Sequence, residues 1–88
     1  MNNTRRKAIK EVMKKLGAIQ EDFNLIKEEL EAIKDEEEEA MYNMPESLQY
    51  TDRYYAMEEA ANNLTEAFDI MEYLDFEELF NYLEEAMN

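Results

Sequence analysis

Carboxylates are the side chains through which this sequence could do chemistry. The chain has 23 Asp and Glu residues, five of them consecutive at 35–39, and it has no His and no Cys. Imidazole and thiolate mechanisms are therefore excluded. The single serine, Ser47, has no imidazole base with which to form a catalytic triad. We expect a protein that is not an enzyme.

Metal or phosphate binding is the other chemistry to consider. Zinc prefers nitrogen and sulfur ligands, which the chain lacks, and helical di-iron sites need Glu-x-x-His pairs. The carboxylates at 35–39 lack the alternating spacing and central glycine of a calcium-binding loop. Gly17 is the only glycine, so a tandem-glycine phosphate loop is impossible. We expect no metal site and no cofactor.

The charge is unevenly distributed along the chain. The net charge is −14, but residues 1–20 hold six basic and one acidic side chain, which gives +5. Residues 21–88 hold three basic and 22 acidic side chains, which gives −19. An acidic body of this kind is repelled by nucleic acid and attracted to basic protein surfaces, and salt weakens that attraction. The alternative is that the charge serves solubility alone.

The elements that hold these carboxylates are predicted to be helices. Good helix formers dominate, and one Gly and one Pro leave little material for turns. Over 4–41 the apolar residues follow a heptad pattern, which predicts a long helix with a coiled-coil-like seam. In that seam the a positions are Ile9, Leu16, Phe23 and Leu30, and the d positions are Val12, Ile19, Ile26 and Ile33.

The rest of the chain is predicted to form a connection and two further helices. Residues 42–51 form the connection, because Pro45 disfavours helical geometry at the preceding residue. Asp75 and Glu78 form a capping pair, which predicts a break between helices at 52–74 and 76–86. The alternative is one continuous helix that exposes an aromatic patch. The seam of 52–74 is predicted to consist of Met57, Ala60, Leu64, Ala67, Met71 and Leu74, and Ala61 and Phe68 are predicted to widen the apolar stripe.

These elements predict an all-α fold in a single domain of residues 1–88. The expected architecture is an antiparallel, coiled-coil-like helical hairpin with a short third helix at the C-terminal end. A core built from so few residues is thin, so a homodimer is plausible. The predicted self-association surface is the apolar stripe of the third helix, which consists of Phe76, Leu79, Phe80, Leu83 and Met87.

The sequence also bears on location. No apolar run approaches the ~20 residues that a membrane-spanning helix needs. Basic residues at 5–7 are not followed by the unbroken apolar stretch of a signal peptide. We therefore expect a cytoplasmic protein that does not contact a membrane.

The carboxylates are dense enough to imitate nucleic acid. Twenty-two of them over about 52 Å of paired helix correspond to roughly one per 2.4 Å, against one per ~1.7 Å in duplex DNA. The predicted partner is a basic protein surface, such as that of a CRISPR effector or another DNA-binding enzyme, and the acidic body itself is expected not to bind nucleic acid. The predicted partner-binding residues are Asp35, Glu36, Glu38, Glu39, Glu58, Glu59, Glu66, Asp69 and Glu72.

Four tyrosines lie around the connection, at positions 42, 50, 54 and 55. One interpretation is that they close the end of the hairpin over Ala40 and Met44. The other is that they form an interaction tip, because tyrosine is enriched at protein interfaces.

The segment 43–49, Asn-Met-Pro-Glu-Ser-Leu-Gln, is followed by Glu-Glu-Ala at 58–60. Together they resemble small acidic helical proteins carried by phages and mobile elements of Gram-positive bacteria. The resemblance implies a phage or mobile-element origin, a location in the host cytoplasm, and inhibition of host defence of the anti-CRISPR or anti-restriction type. Two alternatives remain open. One is a structural or adaptor coiled-coil protein that self-assembles, and the other is a regulatory partner of one basic protein, such as an antitoxin.

Overall fold

A computed structural model describes residues 1–88, and the chain is all-helical, with 86% of its residues in helices and no strand. Helix α1 spans Asn3–Tyr42, a short 3-10 helix spans Glu46–Leu48, α2 spans Asp52–Glu72 and α3 spans Phe76–Met87. The all-α prediction is confirmed. None of these helices has an apolar stretch of the length that a bilayer span requires.

Local capping contacts explain where α2 and α3 begin. The hydroxyl oxygen of Thr51 accepts a hydrogen bond from the Tyr54 N–H at 3.4 Å. The carboxylate of Asp75 accepts one from the Glu78 N–H at 3.0 Å. Each bond satisfies a backbone donor that has no partner within the first helical turn. The helical path is therefore interrupted between Glu72 and Phe76, and a single uninterrupted helix over 52–86 is excluded.

The chain divides into two compact units, and α1 contributes residues to both. Unit 1 comprises Met1–Leu25 and Leu74–Asn88, and unit 2 comprises Ile26–Tyr73. Unit 1 holds six basic and eight acidic side chains, which gives −2. Unit 2 holds three basic and 15 acidic side chains, which gives −12. Nearly all of the net charge therefore belongs to unit 2.

In unit 1, α3 packs against the first half of α1. Phe76 is 7% exposed, and its ring lies edge-on to the ring of Phe23 with the centroids 5.5 Å apart. At the other end of α3, the Nε of Arg6 donates a hydrogen bond to the carbonyl oxygen of Met87 at 2.8 Å. An aromatic pair of this geometry contributes about 1 kcal/mol beyond the area that it buries. One aromatic contact therefore anchors this unit.

In unit 2, α2 contacts the second half of α1 in reverse sequence order. Lys27 Nζ lies 3.0 Å from a carboxylate oxygen of Glu72, and Lys34 Nζ lies 5.7 Å from the centroid of the Phe68 ring. The buried apolar residues are Met41 and Ala61. The core of this unit is thin, so its stability depends on few apolar contacts.

The structure corrects the predicted seam of α1. The a positions are half-buried, as expected, but the d positions are exposed. We call these exposed residues, Val12, Ile19, Ile26 and Ile33, the isoleucine row. The inward row lies on the other side of the a positions. We call it the lysine row, and it consists of Met13, Gln20, Lys27, Lys34 and Met41.

In α2, the inward face includes the side on which Ala61 and Phe68 were predicted to widen the stripe. Ala61 is buried and Phe68 is half-buried, whereas Ala67 and Leu74, which were assigned to the seam, are exposed. The aliphatic stem of a lysine can pack on apolar surface while its ammonium group reaches a carboxylate. Lys27 does this, because it approaches both the Phe68 ring and Glu72. These contacts explain why the lysine row faces inward.

Candidate interaction surfaces

The nine predicted partner-binding carboxylates all lie in unit 2, and we call them the acidic surface. Eight are exposed, and Glu38 is half-buried. Three of them, Asp35, Glu38 and Glu72, form ion pairs with lysines of the same unit. The other six have no basic partner within the chain, and they are Glu36, Glu39, Glu58, Glu59, Glu66 and Asp69.

The lysines of unit 2 are already engaged within the chain. Lys34 Nζ lies 3.2 Å from Asp35 and 3.8 Å from Glu38, and the hydrogen bond to Asp35 raises the pKa of Lys34 above its usual value. Lys27 pairs with Glu72. Arg53, the remaining basic residue of the unit, forms no ion pair. Neutralising the other carboxylates of unit 2 therefore requires cations from outside the chain.

Except for Glu36, which lies three residues after Ile33, the acidic surface lies away from the isoleucine row. Glu72 contacts Lys27, so it lies on the lysine-row side. The 3.6-residue helical repeat places Asp69 on that side of α2 as well, and Ala60 and Ala67 on the opposite side. Five of the nine carboxylates are on the lysine-row side, and the others point away from the seam. The five are Asp35, Glu38, Glu58, Asp69 and Glu72.

The isoleucine row is a surface that the sequence analysis missed, because it assigned these residues to the core. Their exposed fractions range from 47% for Val12 to 56% for Ile19. The seven-residue spacing places the four side chains in one stripe along α1, which winds around the helix by about 20° per heptad. One signal in the sequence could have predicted this exposure. The isoleucine row and the lysine row flank the a positions of α1 on opposite sides, and a single partner helix can cover only one of the two rows well.

The predicted self-association stripe of α3 lies against its own chain. Phe76 is buried, and the remaining four residues, Leu79, Phe80, Leu83 and Met87, are half-buried. The contact between Phe76 and Phe23 shows what covers the stripe within unit 1. A stripe that is already packed in this way offers a second copy little free apolar surface.

The tyrosines at the connection form an exposed cluster. The rings of Tyr50, Tyr54 and Tyr55 have centroids 5.9 to 6.4 Å apart. Tyr42 and Tyr50 are about three-quarters exposed, so they do not close the end of the unit over a core. Tyr50 also has a φ of 67°, in the left-handed region that a bulky residue rarely adopts. These features favour the interaction-tip interpretation.

One depression lies on the surface of α3. It has a volume of about 260 Å³ and lies among Glu78, Asn81, Tyr82 and Glu85, all of which belong to α3. No three Asp or Glu residues converge closely enough to hold a metal ion.

No protein-family model, curated protein or solved structure matches the chain.

Proposed function

We propose that the chain is a non-catalytic acidic inhibitor that blocks a nucleic-acid-binding enzyme. In this proposal the acidic surface occupies the basic channel or arginine pair with which that enzyme reads DNA, as an anti-CRISPR protein would. The observation that supports the proposal is the concentration of charge in unit 2, which carries −12 while both of its lysines are already paired.

The charge spacing of unit 2 supports the same proposal. Helix α2 has 21 residues, which corresponds to a length of about 32 Å. The 15 carboxylates of unit 2 therefore occur about once per 2 Å, close to the ~1.7 Å per charge of duplex DNA. Helices fix the backbone that carries these charges, so the conformational entropy lost when a basic surface binds them is that of the side chains alone.

The proposal also covers the arrangement of the helices and the origin of the protein. We propose that α1 and α2 pack as a coiled-coil-like antiparallel hairpin, with α3 as a short third helix. We also propose that the protein comes from a phage or mobile element and acts in the cytoplasm of the bacterial host. The segment at 43–49 supports that origin, because it resembles small acidic proteins carried by such elements.

The experiment is a salt-gradient pull-down from a Gram-positive bacterial lysate with the immobilised chain. The test variant changes Glu58, Glu59, Glu66 and Glu72 to Gln and Asp69 to Asn. The matched control removes five carboxylates from unit 1 by changing Glu11, Glu21, Glu77, Glu84 and Glu85 to Gln. Both variants change the net charge from −14 to −9. The unit 2 variant also removes the Lys27–Glu72 ion pair, so circular dichroism must first show that both variants keep the helicity of the wild-type chain.

The proposal predicts capture of a DNA- or RNA-guided enzyme that duplex DNA displaces. The unit 2 variant should lose this capture, whereas the unit 1 variant should retain it. Equal losses in the two variants would mean that net charge alone causes the binding. If no basic protein is retained above ~0.15 M salt, where the Debye length is near 8 Å, the acidic surface serves solvation only and the proposal is wrong.

The second candidate function is a structural or adaptor protein that self-assembles, with its charge serving solubility. The exposed isoleucine row favours it, because an apolar row on a soluble helix calls for a covering partner. Capture by the wild-type chain separates the two candidates, because the five-site variant of unit 2 is expected to assemble under either function. Under the adaptor function, the wild-type chain captures no enzyme.

A further inference from the structure

The isoleucine row is the largest ordered set of exposed apolar side chains on α1. From Val12 to Ile33 it spans 22 residues, or about 32 Å of helix between the first and the last. Scattered exposed apolar residues are ordinary, whereas an aligned apolar row indicates an interaction surface. The four residues are 47 to 56% exposed, so the chain's own helices leave about half of each uncovered.

The exposure of the isoleucine row is informative because of the residues that α1 turns inward in its place. Helix α1 turns Gln20, Lys27 and Lys34 inward, whereas the isoleucine row faces out. A chain that acted alone would gain more from burying the apolar row. We propose that the isoleucine row binds the same row of a second copy of this chain, with the two α1 helices antiparallel.

Charge complementarity sets the antiparallel orientation. The first part of the chain, residues 1–20, carries +5, whereas residues 21–42 hold two basic and ten acidic side chains, which gives −8. An antiparallel pair lays each basic segment beside the acidic segment of the other copy, and a parallel pair would place like charges together. In the antiparallel register, Val12 faces Ile33 and Ile19 faces Ile26 of the other copy.

One pair of charged residues beside the row makes the register testable. Lys15 and Glu29 each lie three residues after a member of the row, so they occupy the same flank of α1, and both are exposed. In the antiparallel register, Lys15 of each copy faces Glu29 of the other, so the contact occurs twice. Asp22 lies midway between Lys15 and Glu29 on this flank. In the antiparallel register it faces Asp22 of the other copy, and the two like charges repel each other.

Most of the acidic surface stays free in such a dimer. Glu36 lies three residues after Ile33 and therefore borders the dimer contact, whereas the other eight carboxylates lie away from the isoleucine row and would face outward in both copies. The inference concerns a different surface from the proposed function and does not depend on it. A failure to dimerise and a failure to capture an enzyme are therefore separate results.

Sedimentation equilibrium over a concentration series tests the dimer, with circular dichroism to verify that each variant remains helical. The wild-type chain should sediment as a dimer. Lys15→Glu and Glu29→Lys should each weaken dimerisation about tenfold, because each change turns two attractive contacts into repulsive ones. The double variant carrying both changes should return to within about threefold of wild type, since the pairs are restored with reversed signs.

Lys10→Glu and Glu31→Lys are the matched controls, because both residues lie on the lysine-row side of α1. These two changes should leave the dimer unchanged. A wild-type chain that stays monomeric at every concentration would overturn the proposal. Single changes that are not compensated in the double variant would overturn the antiparallel register.

Cysteine cross-linking tests the orientation independently, because the chain has no natural Cys. Asp22→Cys should form a disulfide-linked dimer on oxidation, since position 22 meets itself across the antiparallel axis. Val12→Cys should cross-link only when it is mixed with Ile33→Cys. Efficient cross-linking of Val12→Cys with itself would show a parallel pair and contradict the proposal.

Discussion

Unit 1 and unit 2 share α1 but differ in what holds them together and in what they expose. Unit 1 is nearly balanced in charge, at −2, and has an aromatic contact between Phe23 and Phe76 where α3 begins. Unit 2 carries −12 and has two lysines between its helices, in contact with Phe68 and with carboxylates. The difference indicates that an aromatic contact stabilises unit 1, whereas unit 2 combines a thin apolar core with most of the net charge of the chain.

The largest expected effect comes from removing the aromatic anchor of unit 1. Phe76→Ala should lower the free energy of unfolding by about 3 kcal/mol, because the ring is buried and its loss leaves a cavity beside Phe23. Urea denaturation measures the loss. Tyr82→Ala on the same helix is the control, since Tyr82 is 68% exposed and its truncation should cost less than about 0.5 kcal/mol. Similar losses in both variants would contradict the anchoring role of Phe76.

A smaller effect should follow from reversing a charge inside unit 2. Lys27→Glu removes the ion pair with Glu72 and the contact with the Phe68 ring, and it adds repulsion beside Glu72. We expect a loss of about 1 to 2 kcal/mol in the free energy of unfolding. Lys10→Glu makes the same change of charge at an exposed residue that forms no ion pair, so it should be nearly neutral. Equal effects of the two changes would remove the distinction between the units.

The smallest of these effects is a gain in unit 1. Gly17 lies within α1, and a Cβ added there would meet no atom within 4 Å. Gly17→Ala should therefore raise the free energy of unfolding by about 1 kcal/mol through helix propensity alone. Thermal unfolding followed by circular dichroism measures the gain. A loss of stability would show that the glycine is needed for a close contact that a single chain does not contain.

The helical content was predictable because its signals are local. Helix formers fill the chain, and single residues such as Thr51 and Asp75 accept hydrogen bonds at the starts of α2 and α3. The exposure of the acidic surface was also predictable, because isolated carboxylates are costly to bury. These features depend on residues close together in sequence.

The inward row of α1 was not predictable in the same way. The a positions are flanked by two rows, and counting apolar residues favours the one that contains Ile26 and Ile33. The structure turns the row with Lys27 and Lys34 inward instead, because these lysines meet Phe68 and Glu72 of α2. That choice depends on contacts between residues far apart in sequence. An apolar row also looks the same in the sequence whether its own chain or a second copy covers it.

The central claim is that the acidic surface binds a basic partner while the isoleucine row forms a separate contact. The most direct measurement compares the five-site variant of unit 2 with the variant Ile19→Gln, Ile26→Gln, in both the pull-down and sedimentation equilibrium. We predict that the acidic-surface variant still dimerises but captures no DNA-displaceable enzyme, and that the Ile19→Gln, Ile26→Gln variant is monomeric but still captures it. Loss of capture and dimerisation together in either variant would contradict the separation of the two surfaces.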